Sequence, residues 1–126
     1  MRSLTWKTAA FAAVTLIATA APVMPASAAL TDCPSGYFCA WADDNAQGHR
    51  AQWSGNDANW GDDGMHDNAE TVFNNGTPGA WDHVWLYYNV NYDAYSKCVR
   101  PGEWYDANLN DNDYDSHSWS TACKFD

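Results

Sequence analysis

Four cysteines and four histidines are the side chains of this sequence best suited to metal or thiol chemistry. None of the cysteine spacings is Cys-x-x-Cys and the histidines are scattered, so a zinc site is disfavoured. An even number of cysteines is instead typical of disulfides in an exported protein. Three pairings can be drawn and the sequence does not choose among them, although pairing the neighbours is simplest. That pairing joins Cys33 to Cys39 and Cys98 to Cys123.

Acidic side chains are abundant, but they fit neither an EF-hand nor a catalytic motif. Asp111, Asp113 and Asp115 have the spacing of an EF-hand loop. However, Ser116 stands where that loop needs glycine, and Ala122 stands where it needs glutamate. The sequence has no nucleophile elbow and no phosphate-binding glycine loop. We therefore interpret the chain as a non-enzyme and its histidines as solvated loop or strand residues.

Residues 1–28 have the organisation of a secretory signal peptide. A cationic start with Arg2 and Lys7 precedes an uncharged apolar run over residues 8–21, and Ala26-Ser27-Ala28 is a small-residue cleavage signature. Cleavage after Ala28 predicts a secreted, extracellular domain of residues 29–126. No later stretch is long or apolar enough to span a bilayer.

The charge of the chain argues against two classes of partner. It has 6 basic and 16 acidic residues, and removal of Arg2 and Lys7 increases the acidic excess. Such a surface repels phosphate backbones and anionic lipid, so neither a nucleic acid nor a membrane is expected to bind. The length predicts a single small domain, which we expect to be a monomer.

Short runs of aromatic and branched residues, separated by Asn, Asp and Gly, predict an all-β fold. No helical periodicity persists for three turns. Since aliphatic residues are scarce after residue 28, most of the core must be aromatic. The predicted strands are Tyr37–Trp41, His49–Trp53, Thr71–Phe73, His83–Tyr88, Lys97–Arg100 and Ser118–Ala122.

The second half of the predicted domain repeats the first. In both halves an aromatic residue is followed by an asparagine and then by a small residue at the same spacing. The first set is Trp41, Asn45 and Gly48, and the second is Tyr87, Asn91 and Ala94. Further on, DNAET (residues 67–71) corresponds to NDYDS (residues 112–116). Two such units, each a folded hairpin closed by a polar loop, predict a compact Greek-key sandwich.

The segment WADDNAQGHR (Trp41–Arg50), with the later Asp/Asn pair and Ser/Thr, resembles the βγ-crystallin Greek-key motif. In that family the aromatic residue packs over a folded hairpin and the glycine is left-handed. The resemblance covers residues 37–120 and implies a single sandwich of two related motifs, here stabilised by disulfides. The second motif has Ala94 at the glycine position, where a left-handed alanine is strained by about 1–2 kcal/mol.

A narrower resemblance is to the secreted metalloproteinase inhibitors of the streptomycete type. The features that carry it are the signal peptide, CPSGYFC from Cys33 to Cys39, VFNNGT from Val72 to Thr77, and the tripeptide Cys98-Val99-Arg100. In that family a Cys–Val bond is the reactive bond offered to the protease. The resemblance therefore implies Cys98 and Val99 as the reactive-site residues and a secreted metalloprotease, similar to thermolysin, as the partner.

The residues around Val99 allow two interpretations. Thermolysin-type proteases cut before a bulky apolar residue. An extended Val99 held between a disulfide and the Pro101-Gly102 turn would mimic a substrate at a low ordering cost. Alternatively, Val99 is an inward-facing strand residue before a turn. The exposure of Val99 distinguishes the two.

The crystallin resemblance also implies calcium as a cofactor. In that family the second residue of each Asp/Asn pair, and the Ser/Thr three positions later, supply hard oxygen ligands. Here these residues are Asn68, Thr71, Asp113 and Ser116. The alternative is that they are polar turn residues with local hydrogen bonds. The alternative function is a calcium-binding structural or interaction module without inhibitory activity.

The tryptophans suggest a third hypothesis, a carbohydrate-binding module that stacks sugars on exposed rings. A core role for most of them is favoured, because aliphatic residues are scarce. Trp60, Trp81 and Trp104 lie beside glycine or charged neighbours and are predicted to be the exposed ones.

Overall fold

The computed structural model describes residues 29–106 and 113–125, and the predicted signal peptide lies outside them. The described residues form seven antiparallel strands, which confirms the all-β prediction. None of these residues forms a helix with the length and apolarity needed to cross a membrane. The strands are β1 (Tyr37–Asp43), β2 (Gln47–Trp53), β3 (Thr71–Asn75), β4 (His83–Asn89), β5 (Asp93–Val99), β6 (Trp104–Asp106) and β7 (Ser116–Ser120).

Each predicted strand overlaps an observed one, and β6 is the strand that the sequence did not predict. Strand β6 has only three residues and pairs with β3, which is distant in sequence, so local patterning does not indicate it. Strand β7 begins two residues before its prediction, because the polar residues Ser116 and His117 are buried within it.

Each half of the chain contributes a segment to the sheet that the other half mainly forms. The first sheet has the order β2-β1-β3-β6 and the second the order β5-β4-β7. Strand β6 comes from the second half and pairs with β3 of the first. Reciprocally, Asp57 of the first half bridges to His117 in β7, with N to O distances of 3.1 and 3.0 Å. Neither half therefore completes its sheet without the other.

The two folded hairpins share one backbone conformation, which confirms the internal repeat. Three residues in each hairpin are left-handed, with φ between 57° and 79°. They are Asn45, Ala46 and Gly48 in the first hairpin, and Asn91, Tyr92 and Ala94 in the second. Ala94 thus adopts the left-handed conformation (φ 63°) that its alignment with Gly48 requires.

A buried hydroxyl ties each hairpin to the strand that follows the polar loop. Thr71 Oγ1 donates to Asp43 O (2.8 Å) and accepts from Ala46 N (3.0 Å). In the second half, Ser116 Oγ donates to Asn89 O (2.6 Å) and accepts from Tyr92 N (3.1 Å). Both hydroxyl residues are inaccessible to solvent. The same two bonds therefore close both motifs.

The main core cluster of the described residues combines four aromatic residues, among them Trp60, with eight Ala, Val, Leu and Met residues, so it is less aromatic than predicted. The burial of Trp60 corrects the prediction that this residue is exposed. The Trp60 ring stacks on Trp53, with the centroids 4.8 Å apart, and its Nε1 donates to His117 Nδ1 (2.9 Å). A tryptophan is stable in a core where its N–H finds an acceptor. The exposed fractions of Trp81 and Trp104 are 65% and 40%, as predicted for these two.

His117 is also buried, contrary to the prediction of solvated histidines. Because its Nδ1 accepts from Trp60, the proton resides on Nε2, which donates to Gly55 O (2.9 Å). Burial lowers the pKa of His117 to about 4. The ring is therefore neutral in the folded protein at neutral pH.

We predict that the protein loses stability between pH 6.5 and pH 4. In this range the unfolded His117 binds a proton that the folded ring does not, so the free energy of unfolding falls by up to about 3 kcal/mol. Urea unfolding at several pH values measures the loss. The variant His117→Gln retains an acceptor for Trp60 but does not titrate, so its pH dependence should be flatter. Equal slopes in the two proteins would contradict this role for His117.

The hairpin geometry predicts opposite effects for two exchanges between glycine and alanine. Ala94→Gly should raise the free energy of unfolding by up to about 1 kcal/mol, because relief of left-handed strain exceeds the entropy cost of glycine. Gly48→Ala should lower it by more than that. The new Cβ would be strained and would lie 2.5 Å from Asp43 Oδ2. Chemical denaturation compares both variants with the wild type, and a destabilised Ala94→Gly protein would contradict the prediction.

Candidate functional site

The end of β5 is joined to the start of β6 by a tight turn at Arg100–Glu103. Glu103 N donates to Arg100 O (3.0 Å), and Arg100 N donates to the Glu103 carboxylate (2.7 Å to Oε1). Gly102 is left-handed, with φ of 79°, a conformation that a side chain would strain. The turn is thus closed by both main-chain and side-chain bonds.

Asn74, buried in β3, fixes this turn against the first sheet. Its N donates to Glu103 O (3.0 Å), and its O accepts from Gly102 N (2.8 Å). Its side-chain Nδ2 donates to Val99 O (2.9 Å). The sequence pattern assigns Asn74 no role, although the run VFNNGT contains it. The sequence signal that could have drawn attention to Asn74 is Gly76, which follows the strand and whose N donates to Asn74 Oδ1 (2.9 Å).

The Glu103 carboxylate is held by a second donor as well. Tyr105 Oη donates to Glu103 Oε1 (3.3 Å), and burial, reinforced by the Glu103 charge, raises the pKa of Tyr105 above its ordinary value. Tyr105 therefore remains a protonated donor at neutral pH. The two donors orient the carboxylate that closes the turn.

Basic side chains gather near this turn in an otherwise acidic chain. Lys97 and Arg100 lie on either side of the Cys98–Val99 bond, and the disulfide from Cys98 to Cys123 brings Lys124 to the same end of β5. Lys97 Nζ lies 4.1 Å from the centre of the Tyr105 ring. These charges would attract the acidic surface of a partner protein.

The structure contains the simplest of the three disulfide pairings, Cys33 with Cys39 and Cys98 with Cys123. The first disulfide lies beside a groove of about 430 Å³ that also borders the turn. Leu30, Phe73, Gly102 and Trp104 are among the residues that line this groove. The turn, Trp104 and the groove form one continuous candidate contact surface.

A sequence model of peptidase inhibitor family I36 matches residues 26–99. The chain belongs to this family. Membership supports protease inhibition as its role and a protease as its partner, and it suggests a non-enzyme. The disulfides and the family are consistent with secretion. No curated protein matches the chain.

Two solved structures show that this family I36 chain has a βγ-crystallin-like fold. One comes from work on the evolution of the eye lens beta-gamma-crystallin domain fold. It is 15% identical, covers 71% of this chain and 91% of its own, and has a TM-score of 0.57. The other is a beta gamma crystallin from Ciona intestinalis. It is 12% identical, covers 68% of this chain and 100% of its own, and has a TM-score of 0.57. These similarities confirm the predicted fold.

In this family I36 domain, the Cys98–Val99 bond lies within β5, which agrees with the interpretation of Val99 as an inward-facing strand residue before a turn and not with an exposed loop. Val99 is fully buried, and its partner in the neighbouring strand is Val84. Val99 is one of the few aliphatic residues of the domain, and it lies in the core. Strand β5 is an edge of its sheet in the described part of the chain, so the bond is approachable only from the side. Within residues 99–104, the exposed residues are Arg100, Gly102 and Trp104.

The four residues predicted to bind calcium do not offer four free ligands. The Thr71 and Ser116 hydroxyls are buried and bonded to their hairpins, whereas Asn68 and Asp113 are exposed. Thr71 and Ser116 lie in strands and bond to hairpin residues 24 to 28 positions away, so the interpretation as turn residues with local hydrogen bonds does not describe them either.

Three residues that lie close in sequence to the predicted calcium ligands contact one another instead: His66, Asp67 and Asp115. His66 Nδ1 lies 2.8 Å from Asp115 Oδ1, and His66 Nε2 lies 3.1 Å from Asp67 Oδ2. Asp67 N also donates to Asp115 Oδ1 (3.2 Å). Side chains alternate in direction along an extended chain, so when Ser116 faces its hairpin, Asp115 faces the polar loop. Asp67 and Asp115 of the observed cluster thus each lie one residue before a predicted ligand, Asn68 and Ser116 respectively.

Proposed function

We propose that this chain inhibits a secreted metalloprotease of the thermolysin type, and that it binds the protease through the turn Arg100–Glu103 and the following Trp104. The observation that carries the proposal is the closure of the turn by Asn74 and Glu103 in the free protein. A segment that is already ordered binds without a large entropy cost. The resemblance to streptomycete-type inhibitors supports a metalloprotease as the target.

In this proposal Trp104 takes the role that the resemblance gives to Val99. A thermolysin-type enzyme accepts a bulky apolar residue after the bond that it cuts. Trp104 is such a residue and is 40% exposed, whereas Val99 is inaccessible. Tryptophan is also enriched among the residues that dominate binding energy at protein interfaces. Because Cys98–Cys123 and the Asn74 bonds anchor this segment, its ends would remain in place after a cut.

The proposal predicts that residues 29–126 inhibit thermolysin at micromolar concentration. Trp104→Ala should raise the inhibition constant by about tenfold or more, as truncation of a central interface residue does. Trp81→Ala removes another exposed tryptophan outside the segment and serves as the matched control, with wild-type inhibition expected. Initial rates of peptide hydrolysis give the constants.

Three results would contradict parts of this proposal. Inhibition of trypsin but not of thermolysin would exclude a metalloprotease target. Equal inhibition by the wild type and Trp104→Ala would exclude the turn. A new N-terminus at Val99, found by terminal sequencing after incubation with the protease, would return the reactive bond to Cys98–Val99.

We propose as a second candidate that the cluster of His66, Asp67 and Asp115 binds calcium and makes the domain a calcium-stabilised module. The support is that one ligand atom from each residue lies within 4.8 Å of the others, with two carboxylates among them. Both His66 contacts are N–H donations only when the imidazole is protonated. The carboxylate pair therefore suits one cation, which is either the imidazolium or a metal ion that displaces it.

This second candidate predicts a calcium-dependent melting temperature. At pH 7.5, millimolar calcium should raise the melting temperature by a few degrees above that in chelator. Asp115→Asn should remove the increase. Asp32→Asn changes the charge equally at an exposed site and should keep it. Identical melting curves with calcium and with chelator would exclude the metal site.

A further inference from the structure

A second groove, of about 440 Å³, lies between the loop that carries Trp81 and the end of β7. Trp81 and Trp119 line it together with Gly76 and the short polar residues Ser54, Asn56 and Thr77. We propose that this groove binds a neutral oligosaccharide, with a sugar ring stacked on Trp81. The proposal concerns a different surface from the turn at Arg100–Glu103.

The composition of the groove indicates the chemical class of the ligand. None of its lining residues is charged, in a chain that has 16 acidic and 6 basic residues. Such a site cannot neutralise a charged group, so its ligand is neutral. Flat aromatic faces combined with hydroxyl and amide groups suit a sugar, whose C–H face packs on a ring while its hydroxyls form hydrogen bonds. The volume is that of a small-molecule site.

Trp81 is presented on a braced loop. It is 65% exposed and stacks on no other aromatic ring of the described residues. The residue after it, Asp82, accepts from Gly79 N (2.9 Å to Oδ2) and from Asn74 Nδ2 (2.8 Å to the backbone O). These bonds hold the loop before any ligand is present. A ligand that stacks on Trp81 would therefore bind with a low ordering cost.

Trp119 forms a second aromatic wall of the groove, and its position depends on two neighbours. A Cβ at Gly76 would lie 2.6 Å from the Trp119 ring, so only glycine permits this packing. Asn56 Oδ1 accepts from Trp119 N (2.7 Å). The indole Nε1 is buried without a hydrogen-bond partner in the described part of the chain. A sugar in the groove would pack against this ring, which lines it.

Calorimetric titration of residues 29–126 with chitohexaose, cellohexaose and laminarihexaose tests the proposal. At least one of these neutral sugars should bind, with a dissociation constant of about 1 mM or lower. Trp81→Ala should weaken binding by about tenfold or more, as loss of a stacking ring does, and Trp81→Phe should retain part of it. Trp104→Ala is the matched control and should bind like the wild type. Melting temperatures verify that all variants fold.

A second readout follows the groove directly. The indole N–H resonance of Trp119 should shift in the nuclear magnetic resonance spectrum as the sugar is added, because the sugar packs against the ring that lines the groove. Failure of all three sugars to bind would overturn the proposal, as would equal affinities of the wild type and Trp81→Ala. Binding of a neutral glycine- and proline-containing peptide in place of the sugars would also overturn it. Thermolysin inhibition does not enter these measurements, so either proposal can fail alone.

Discussion

The hydroxyl groups of Thr71 and Ser116 are the constraint on which the rest of the domain depends. Each one bonds to the backbone on both sides of a hairpin that contains three left-handed residues. Such a hairpin is unfavourable by itself, because non-glycine residues disfavour this conformation. The buried hydroxyls offset that strain and fix the position of each hairpin on its sheet. The hydrogen bonds of these two hydroxyl groups therefore determine where the strands and polar loops lie.

The same two residues explain where the acidic side chains meet. Since Thr71 and Ser116 face their hairpins, the residues immediately before them in the extended chain face the other way. Asp115 therefore reaches the opposite loop, where it contacts His66 and the backbone of Asp67. The hydroxyl that closes each hairpin is inaccessible to solvent, so a metal ion in the polar loop does not reach it. The closure of the fold and the location of the acidic cluster thus have one cause.

The repeat, the sheet class and most strands could be predicted from the sequence, because hydrophobic runs and turn residues are local signals. What could not be predicted depends on contacts between distant residues. Trp60 is buried because His117, far away in sequence, accepts its N–H. Val99, for which the sequence allowed two interpretations, is buried in a core cluster to which both sheets contribute. Ala94 tolerates a left-handed conformation because Ser116 closes its hairpin. In each case tertiary packing overrides the local preference.

Asn74 connects the two surfaces to which we assign binding. Its backbone and Nδ2 hold the turn before Trp104. The same Nδ2 and its Oδ1 hold the loop that carries Trp81 on both sides of this residue, at Asp82 O and Gly76 N. Burying an amide is unfavourable unless its groups are bonded, and here all four polar groups are. One satisfied polar side chain thus orders two loops in which no residue is buried. Beneath Trp81 and Trp104, hydrogen bonds replace apolar packing. For this reason a domain whose core is short of aliphatic residues can hold these two exposed tryptophans rigidly.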